Sequence, residues 1–239
     1  SHGLTNLSND NVNSVVTVVY VDDSWTNQTA FDADADVDDG TAAVETATFG
    51  VTAFNNITDA LAAVDTNGTV IVNAGTYAET ISLADGKTLE ITGPDTNQTV
   101  TISALSTAAG TDINIEGGSV LNIGDSTTQT LAGSVSGTGT LRVIGDGTLN
   151  VTGDFNPTFA GGVNLHGNGT VNLSGAAPLA SFNVTTGTTV NVLAGADITS
   201  VGTNLIMTVD NFSNGSQSVI NHNAGDVTLG TAAELRLGR

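Results

Sequence analysis

The chain has 239 residues, no cysteine, and a formal net charge of −20, because 24 Asp and Glu stand against four Lys and Arg. Nucleic-acid binding requires a basic surface, so this charge excludes it, and the lack of cysteine excludes disulfides and thiolate-bound metals. No apolar run reaches the roughly 18 residues of a membrane-spanning helix, so we expect no membrane insertion.

The N-terminal part of the chain combines a strand, a loop and a helix. Residues 15–21 are Val-rich and predict a strand that is apolar on both faces, whereas the acidic residues 22–48 lack periodicity and predict a loop. Residues 54–65 predict an amphipathic helix with an apolar stripe of Phe54, Ile57, Leu61 and Val64. We expect this helix to cap a stack of strands, which divides the chain into residues 1–65 and residues 66–239.

The acidic loop has the ligand spacing of a calcium site. Asp34, Asp36 and Asp38 alternate, and Glu45 stands at the twelfth position counted from Asp34, as in Ca²⁺ loops that end in a bidentate Glu. Asp39 occupies the place where such loops have a Gly for their sharp turn. The sequence therefore predicts Ca²⁺ as a cofactor held by Asp34, Asp36, Asp38 and Glu45, with a solvated acidic loop as the alternative.

The order of elements after the helix resembles a known superfamily. Residues 67–81 (Asn-Gly-Thr-Val-Ile-Val-Asn-Ala-Gly-Thr-Tyr-Ala-Glu-Thr-Ile), 89–93 (Leu-Glu-Ile-Thr-Gly) and 99–102 (Thr-Val-Thr-Ile) are similar to the first coils of pectin-lyase-like right-handed parallel β-helix proteins. The resemblance implies right-handed coils behind a helical cap. It also implies that polysaccharide-degrading activity must be considered.

Farther along, pairs of short alternating strands recur. The first apolar residues of the paired strands are Ile113 and Leu121, Leu141 and Leu149, Val163 and Val171, and Phe182 and Val190. Each pair is eight residues apart, and the last three pairs recur after 22 and then 19 residues. A repeat of this length buries its apolar face only by stacking on its neighbours, so the pattern predicts a β-solenoid. These Gly- and Thr-rich lines also resemble passenger regions of autotransporter-type bacterial surface proteins.

Alternation along these strands predicts the core and the outer surface. The predicted core comprises Leu89, Ile91, Ile113, Ile115, Leu121, Ile123, Leu141, Val143, Leu149, Val151, Val163, Leu165, Val171, Leu173, Val190 and Val192. Asn122, Asn150, Asn172 and Asn191 fall on the opposite face, where we expect them to stack as an amide ladder. The expected fold is all-β, a right-handed parallel β-helix (β-solenoid) with one N-terminal capping helix.

Candidate catalytic residues are few. Lyases of the superfamily that the chain resembles use Arg or Lys together with Asp-bound calcium, but Lys87 and Arg142 lie about two and a half repeats apart and are not expected to meet. The remaining candidates are Asp112, Asp125, Asp146, Asp154, His166 and His222. We interpret the aspartates as turn residues that bond their own backbone and the histidines as surface or ladder residues, because neither has a partner adjacent in sequence. We therefore predict that the chain is not an enzyme.

The leading hypothesis for function is a structural protein that is extracellular or at the cell surface. It would be a subunit or module of a surface layer, a matrix or a self-assembling fibre. The alternative is a carbohydrate-binding or adhesin module with glycans as partners, and a polysaccharide-degrading enzyme is less favoured.

The sequence also suggests how copies of the chain would assemble. The strand at residues 15–21 has no partner nearby in sequence, and Leu235 and Leu237 lie in a last strand whose edge needs cover. If the N-terminal strand of one subunit covered the C-terminal end of the next, end-to-end contacts would give a homo-oligomer or filament. The alternative is that residues 15–21 pair within their own chain.

Overall fold

The fold was analysed in a computed structural model of the chain. The structure describes residues 15–25, 35–36, 46–92, 98–124, 126–155, 161–179, 181–185, 187–200, 206–209, 218–228 and 234–237. Short parallel strands form three faces, and the chain visits the faces in the same order in each coil. This arrangement is a parallel β-solenoid with one helix, as the repeats predict.

Face A begins at the N-terminal end of the stack. Its strands, in spatial order, are β4 (Ala53–Phe54), β1 (Val18–Val21), β5 (Thr69–Val72), β7 (Thr88–Ile91), β9 (Asp112–Ile115) and β12 (Ser134–Gly137). A bridge from Val135 to Phe155 continues this face. It then passes to β17 (Ala177–Leu179), β20 (Asp197–Ser200) and β23 (Asp226–Thr228).

Faces B and C share their first two strands, β6 (Gly75–Leu83) and β8 (Thr99–Thr107), whose first halves lie on face B and second halves on face C. The register between β6 and β8 shifts between Tyr77 and Thr80, where the chain turns the corner. Face B continues with β10 (Val120–Ile123), β13 (Thr140–Val143), β15 (Gly162–His166), β18 (Ser181–Thr185), β21 (Ile206–Val209) and β24 (Glu234–Leu237). Face C continues with β11 (Thr128–Leu131), β14 (Thr148–Val151), β16 (Thr170–Leu173), β19 (Thr189–Val192) and β22 (Val219–His222).

The interior of the stack confirms the predicted core. Inward-facing side chains from all three faces form one hydrophobic cluster. Every predicted core residue is buried except Val143, which is partly buried and packs against the cluster. Alternation was a sufficient guide here because each strand has one face toward the interior and one toward solvent.

The interpretation of two strands per repeat is incomplete, because each coil has a third strand on face A. The recurrences of 22 and 19 residues are correct, since Leu149 pairs with Val171 and Val171 with Val190. The earlier copy is displaced by one face: Ile113 lies on face A and Leu121 on face B. The sequence misled because all three faces use the same alternation of apolar and polar residues.

The first strand belongs to its own solenoid. β1 pairs in parallel with β5 on one side and with β4 on the other. Its outer face is covered in part, because Tyr20 packs against a small cluster that includes Trp25 and Ala53, whereas Val18 is exposed. For β1, pairing within the chain is therefore what occurs, and end-to-end contact between copies stays a prediction.

The helix α1 (Ile57–Ala63) is shorter than predicted, and Phe54 lies in β4 before it. Ile57 and Ala60 are buried in the main cluster, whereas Leu61 is only partly buried, so the apolar stripe is turned relative to the prediction. The helix packs on β6, β1, β4 and β5 and thus covers the N-terminal end of the stack. No helix in the described ranges is long and apolar enough to cross a membrane.

The hairpin of β2 (Ala35–Asp36) and β3 (Thr46–Ala47) is the antiparallel element of the N-terminal part. It pairs Asp36 with Thr46 and Ala35 with Ala47. Its strands therefore bring residues 35–36 and 46–47 of the acidic segment side by side.

Candidate functional site

The outer surface of face C carries an amide ladder. The amide nitrogen of Asn172 donates to Asn150 Oδ1 at 2.8 Å, and that of Asn191 donates to Asn172 Oδ1 at 2.8 Å. Asn221 extends the ladder by donating to Asn191 Oδ1 at 2.9 Å. The ladder predicted through Asn150, Asn172 and Asn191 is confirmed, and it includes Asn221, which the sequence analysis had not placed in it.

Asn122 is not part of that ladder, which corrects the prediction. It lies on face B, where its register neighbours are Thr101 on β8 and Arg142 on β13. The same outer row continues with Asn164 and Asn183, and the Asn183 amide donates to Asn164 Oδ1 at 2.7 Å. Face B therefore has a second polar row, and Arg142 interrupts it.

A shallow depression opens on face B beside this row. Its volume is about 310 Å³, and it is lined by Arg142, Asn164, His166, Asn183 and Thr185. The lining combines a guanidinium, two carboxamides, an imidazole and a hydroxyl, which together can both donate and accept hydrogen bonds. We take this depression as the candidate functional site.

His166 forms the exposed rim of the depression. Its Nδ1 lies 2.8 Å from Thr185 Oγ1 on the neighbouring strand. His222, on face C, is also exposed, and its Nε2 lies 2.9 Å from the carbonyl oxygen of Gly225. Both histidines are surface residues, as predicted, but His166 shares its site with Arg142, which the sequence analysis had considered separately.

The predicted aspartates act between coils. Asp146 Oδ1 accepts from the backbone nitrogen of Asn168 at 3.0 Å, and Asp154 Oδ1 accepts from that of Ala176 at 2.8 Å. Each acceptor lies one coil before its donor, so the prediction that these aspartates bond their own backbone is wrong. A solenoid places the next coil closer to the carboxylate than its own turn. Asp125 lies outside the described residues.

Asp112 lies on face A, in register between Thr88 and Ser134. Its carboxylate accepts from Ser134 Oγ at 2.6 Å and from Ser136 Oγ on the next coil. Nearby, burial raises the pKa of Glu90, and the charge of Glu116 raises it further, while a hydrogen bond from Asn114 opposes both effects. Asp112 and Glu90 are thus bonded by the next coil, whereas Glu116 accepts from Asn114 in its own coil, and Glu90 is the acid whose ionised form the fold disfavours.

The first coil has functional residues that sequence reasoning missed. Glu79 caps the helix, because its two carboxylate oxygens accept from the backbone nitrogens of Ile57 and Thr58, each at 2.9 Å. Asp23 accepts from the backbone nitrogen of Thr76 at 2.8 Å, and a Cβ on Gly75 would lie 2.7 Å from that carboxylate. In the sequence, the Gly-Thr-Tyr-x-Glu stretch was the signal that could have revealed these residues. Their hydrogen bonds stabilise the fold.

Tyr77 bonds within the first coil, and Lys87 joins the helical cap to the coils. The Tyr77 hydroxyl donates to the carbonyl oxygen of Asn73 at 3.1 Å, and burial raises the Tyr77 pKa. Lys87 Nζ donates to the carbonyl oxygen of Leu61 at 2.8 Å, at the C-terminal end of the helix. Lys87 therefore stabilises α1. It does not lie beside Arg142, which is on face B.

The predicted calcium ligands lie almost entirely outside the described residues. Asp34, Asp38 and Glu45 are not described, and of Asp36 the structure describes only the backbone, in β2. Elsewhere in the described ranges, no group of three or more His, Asp or Glu side chains is arranged to hold a metal ion. Calcium binding by this loop stays a prediction.

Comparisons of the chain with family models, with curated proteins and with solved structures gave no match. The architecture and the candidate site therefore rest on the chain's own residues.

Proposed function

We propose that the chain is a non-enzymatic structural β-solenoid, a subunit or module of an extracellular surface layer, matrix or fibre. The observation that supports this best is the coil-to-coil bonding of the outer polar groups. On face C, three consecutive amide bonds of 2.8–2.9 Å join four coils. Polar groups that bond one another along the axis stiffen a rod, whereas an enzyme needs such groups free to meet a substrate.

The acidic side chains support the same role. Glu79, Asp112, Asp146 and Asp154 all accept hydrogen bonds that join the cap or successive coils. Carboxylates are the residues that a polysaccharide hydrolase would use for catalysis. Here each of these carboxylates bonds the cap or a neighbouring coil, which favours a structural protein over an enzyme.

The proposal includes the resemblance to pectin-lyase-like proteins and to autotransporter passengers, which is more specific than the solenoid architecture. Parallel strands joined by short crossovers are almost always connected in the right-handed sense, which supports right-handed coils. The resemblance of the Gly- and Thr-rich coils to autotransporter passengers supports an extracellular location.

End-to-end contact between copies is proposed through the edge of β22 rather than through β1. The backbone nitrogens of Val219 and Asn223 donate to β19, so the intervening His222 presents its backbone groups to the opposite side. Among the described residues nothing pairs with that side. A further coil, from the same chain or from another copy, would complete it.

Electron microscopy tests the structural role directly. Purified chain, with and without millimolar Ca²⁺, is expected to form filaments or sheets. His222→Pro removes a backbone donor that β19 does not use, so it should abolish polymers while leaving the fold intact, and His222→Ala should still polymerise. Isolated monomers under all conditions, together with product formation in a screen on pectin and alginate, would contradict the proposal.

A carbohydrate-binding or adhesin module is the second candidate. The observation that favours it is the depression on face B, where carboxamide, hydroxyl, imidazole and guanidinium groups lie together on the outer surface. Such groups bind sugar hydroxyls through directed hydrogen bonds. A glycan array with the native chain tests this role, and the absence of any bound glycan would exclude it.

A further inference from the structure

The polar rows of the solenoid follow one bonding rule. In each amide pair, the carboxamide nitrogen of one coil donates to the carboxamide oxygen of the coil before it, as Asn172 does to Asn150 and Asn183 does to Asn164. In a row that obeys this rule, each internal carboxamide donates one hydrogen bond and accepts one. An interruption of the row therefore leaves a neighbouring carboxamide without one of these two hydrogen bonds.

Arg142 is such an interruption on face B. It stands in register between Asn122 and Asn164, where the rule calls for a carboxamide. Asn122 donates backward to Thr101 Oγ1 at 3.1 Å, but its own Oδ1 is buried and has no hydrogen-bond partner. Asn122 is only 9 % exposed, so water does not replace the missing donor at low cost.

The guanidinium at the break has no partner among the residues that the structure describes. Among the described residues the one salt bridge joins Lys87 and Asp85, and no hydrogen bond or ion pair involves Arg142. In a chain with 24 acidic residues and four basic ones, acids to pair with are abundant. A cation that pairs with no acid among the described residues, at the cost of a buried unsatisfied acceptor, is available to a group from outside.

We infer that the break at Arg142 is a binding site for an oxyanion, a carboxylate or sulfate, carried by a hydroxyl-rich molecule such as a sugar acid or sugar sulfate. Arginine presents its donors as a planar fork that matches two oxygens of such a group. Asn164, Asn183 and Thr185 line the same depression and supply the donors and acceptors that hydroxyl groups require. The inference rests on the binding role given above as the second candidate, not on the structural role.

The local charge allows this despite the net charge of −20. At physiological salt the acids more than about 8 Å away are largely screened, so the guanidinium decides which group binds beside it. The site is open and shallow, and a weak complex is expected, in which the oxyanion and the hydroxyl contacts are both needed.

A single substitution separates a binding role for Arg142 from a structural one. Arg142→Asn completes the row, because the new carboxamide can donate to Asn122 Oδ1 and accept from Asn164. If Arg142 serves binding, this variant should lose the ligand and melt at the same or a higher temperature than the parent. If Arg142 serves the fold, the variant should melt lower, and the inference is overturned.

Binding is measured by nuclear magnetic resonance titration of the native chain. Glucuronate and glucose 6-sulfate should shift the Arg142 Nε and the Asn164 side-chain amide signals, glucose should not, and Arg142→Asn should weaken binding roughly tenfold or more. The Arg142→Lys variant keeps the positive charge but loses the planar pair of donors, and it should bind these ligands with intermediate strength.

The other outcomes overturn the inference in identifiable ways. Equal shifts with inorganic sulfate alone would show that the hydroxyl groups contribute nothing. Equal shifts with a short polyglutamate peptide would assign the site to an acidic protein partner. Glycan binding that Arg142→Asn leaves unchanged would keep the binding module but place its site elsewhere, and polymer formation in electron microscopy reports on the structural role separately.

Discussion

Glycine and asparagine hold neighbouring coils together in different ways. Glycine occupies the corners where backbones meet: a Cβ on Gly175 would lie 2.0 Å from the carbonyl oxygen of Gly153, and one on Gly153 would lie 2.0 Å from that of Gly133. Asparagine occupies the outer faces, where each amide bond contributes about 1 kcal/mol. The corner glycines therefore permit the close stacking, and the asparagines fix its register.

The first prediction concerns these corners. Gly175→Ala should lower the free energy of unfolding by about 1–3 kcal/mol or more, because backbone atoms of the adjacent coil must move. Gly117→Ala is the matched control, since a Cβ there would meet only the side-chain oxygen of Thr138, at 2.9 Å. Urea denaturation of both variants measures the difference, and equal stabilities would show that the corner is less tight than the structure indicates.

A second prediction follows from Glu90. Its pKa is raised in the folded state by burial and by Glu116, from an ordinary value of 4.5. Ionisation thus costs the folded state more than the unfolded state, so stability falls as pH rises from the unfolded pKa through the raised folded pKa. Glu90→Gln should melt higher than the parent at pH 7, and the gain should shrink as pH falls toward 4.5. A gain that is independent of pH would rule out this explanation.

Among the elements, β1 decides how the N-terminal end is built. It lies between β4 and β5, and Val19 and Val21 are fully buried in the core. Deleting residues 1–21 should therefore destroy cooperative folding and promote aggregation, because β5 and the helix lose their neighbour. Circular dichroism and light scattering test this, and a stable folded monomer after the deletion would contradict the pairing.

The hairpin of β2 and β3 bears on the calcium prediction. It places the backbone of Asp36, one of the predicted ligands, opposite that of Thr46, the residue that follows Glu45 in the sequence. Millimolar Ca²⁺ should raise the melting temperature by mass action, and Asp36→Asn with Asp38→Asn should remove the shift. Calorimetric titration without heat, and a melting temperature that Ca²⁺ leaves unchanged, would favour a solvated loop.

The sequence predicted the strands well and their arrangement less well. Alternation reveals which side of a strand is buried, so Leu149 and Val171 were correctly placed in the core. Alternation does not reveal on which of the three faces a strand lies, so Asn122 was assigned to the wrong row. The residue at the break was visible, because Leu141-Arg142-Val143 has Arg where the later lines have Asn, but only the register shows what that exchange leaves unsatisfied.

At the scale of the whole molecule, the interior, the N-terminal end and the outer faces of the solenoid have different roles. The apolar side chains of three faces fill one continuous interior, and the N-terminal end is closed by α1, which Glu79 and Lys87 hold at its two ends. The net charge of −20 opposes lateral clumping. An assembly along the axis, with outer faces free for ligands, is the arrangement these features favour.

Disulfide trapping in the cysteine-free chain tests the central claim, a three-faced solenoid with two separate polar rows. Asn172 and Asn191 are register partners on face C, at the roughly 4.8 Å spacing of adjacent strands, which lies within the range for a disulfide. The pair Asn172→Cys and Asn191→Cys should therefore cross-link on mild oxidation. The pair Asn122→Cys and Asn150→Cys should not, because these residues lie on faces B and C. Peptide mapping that finds the second cross-link and not the first would contradict the account.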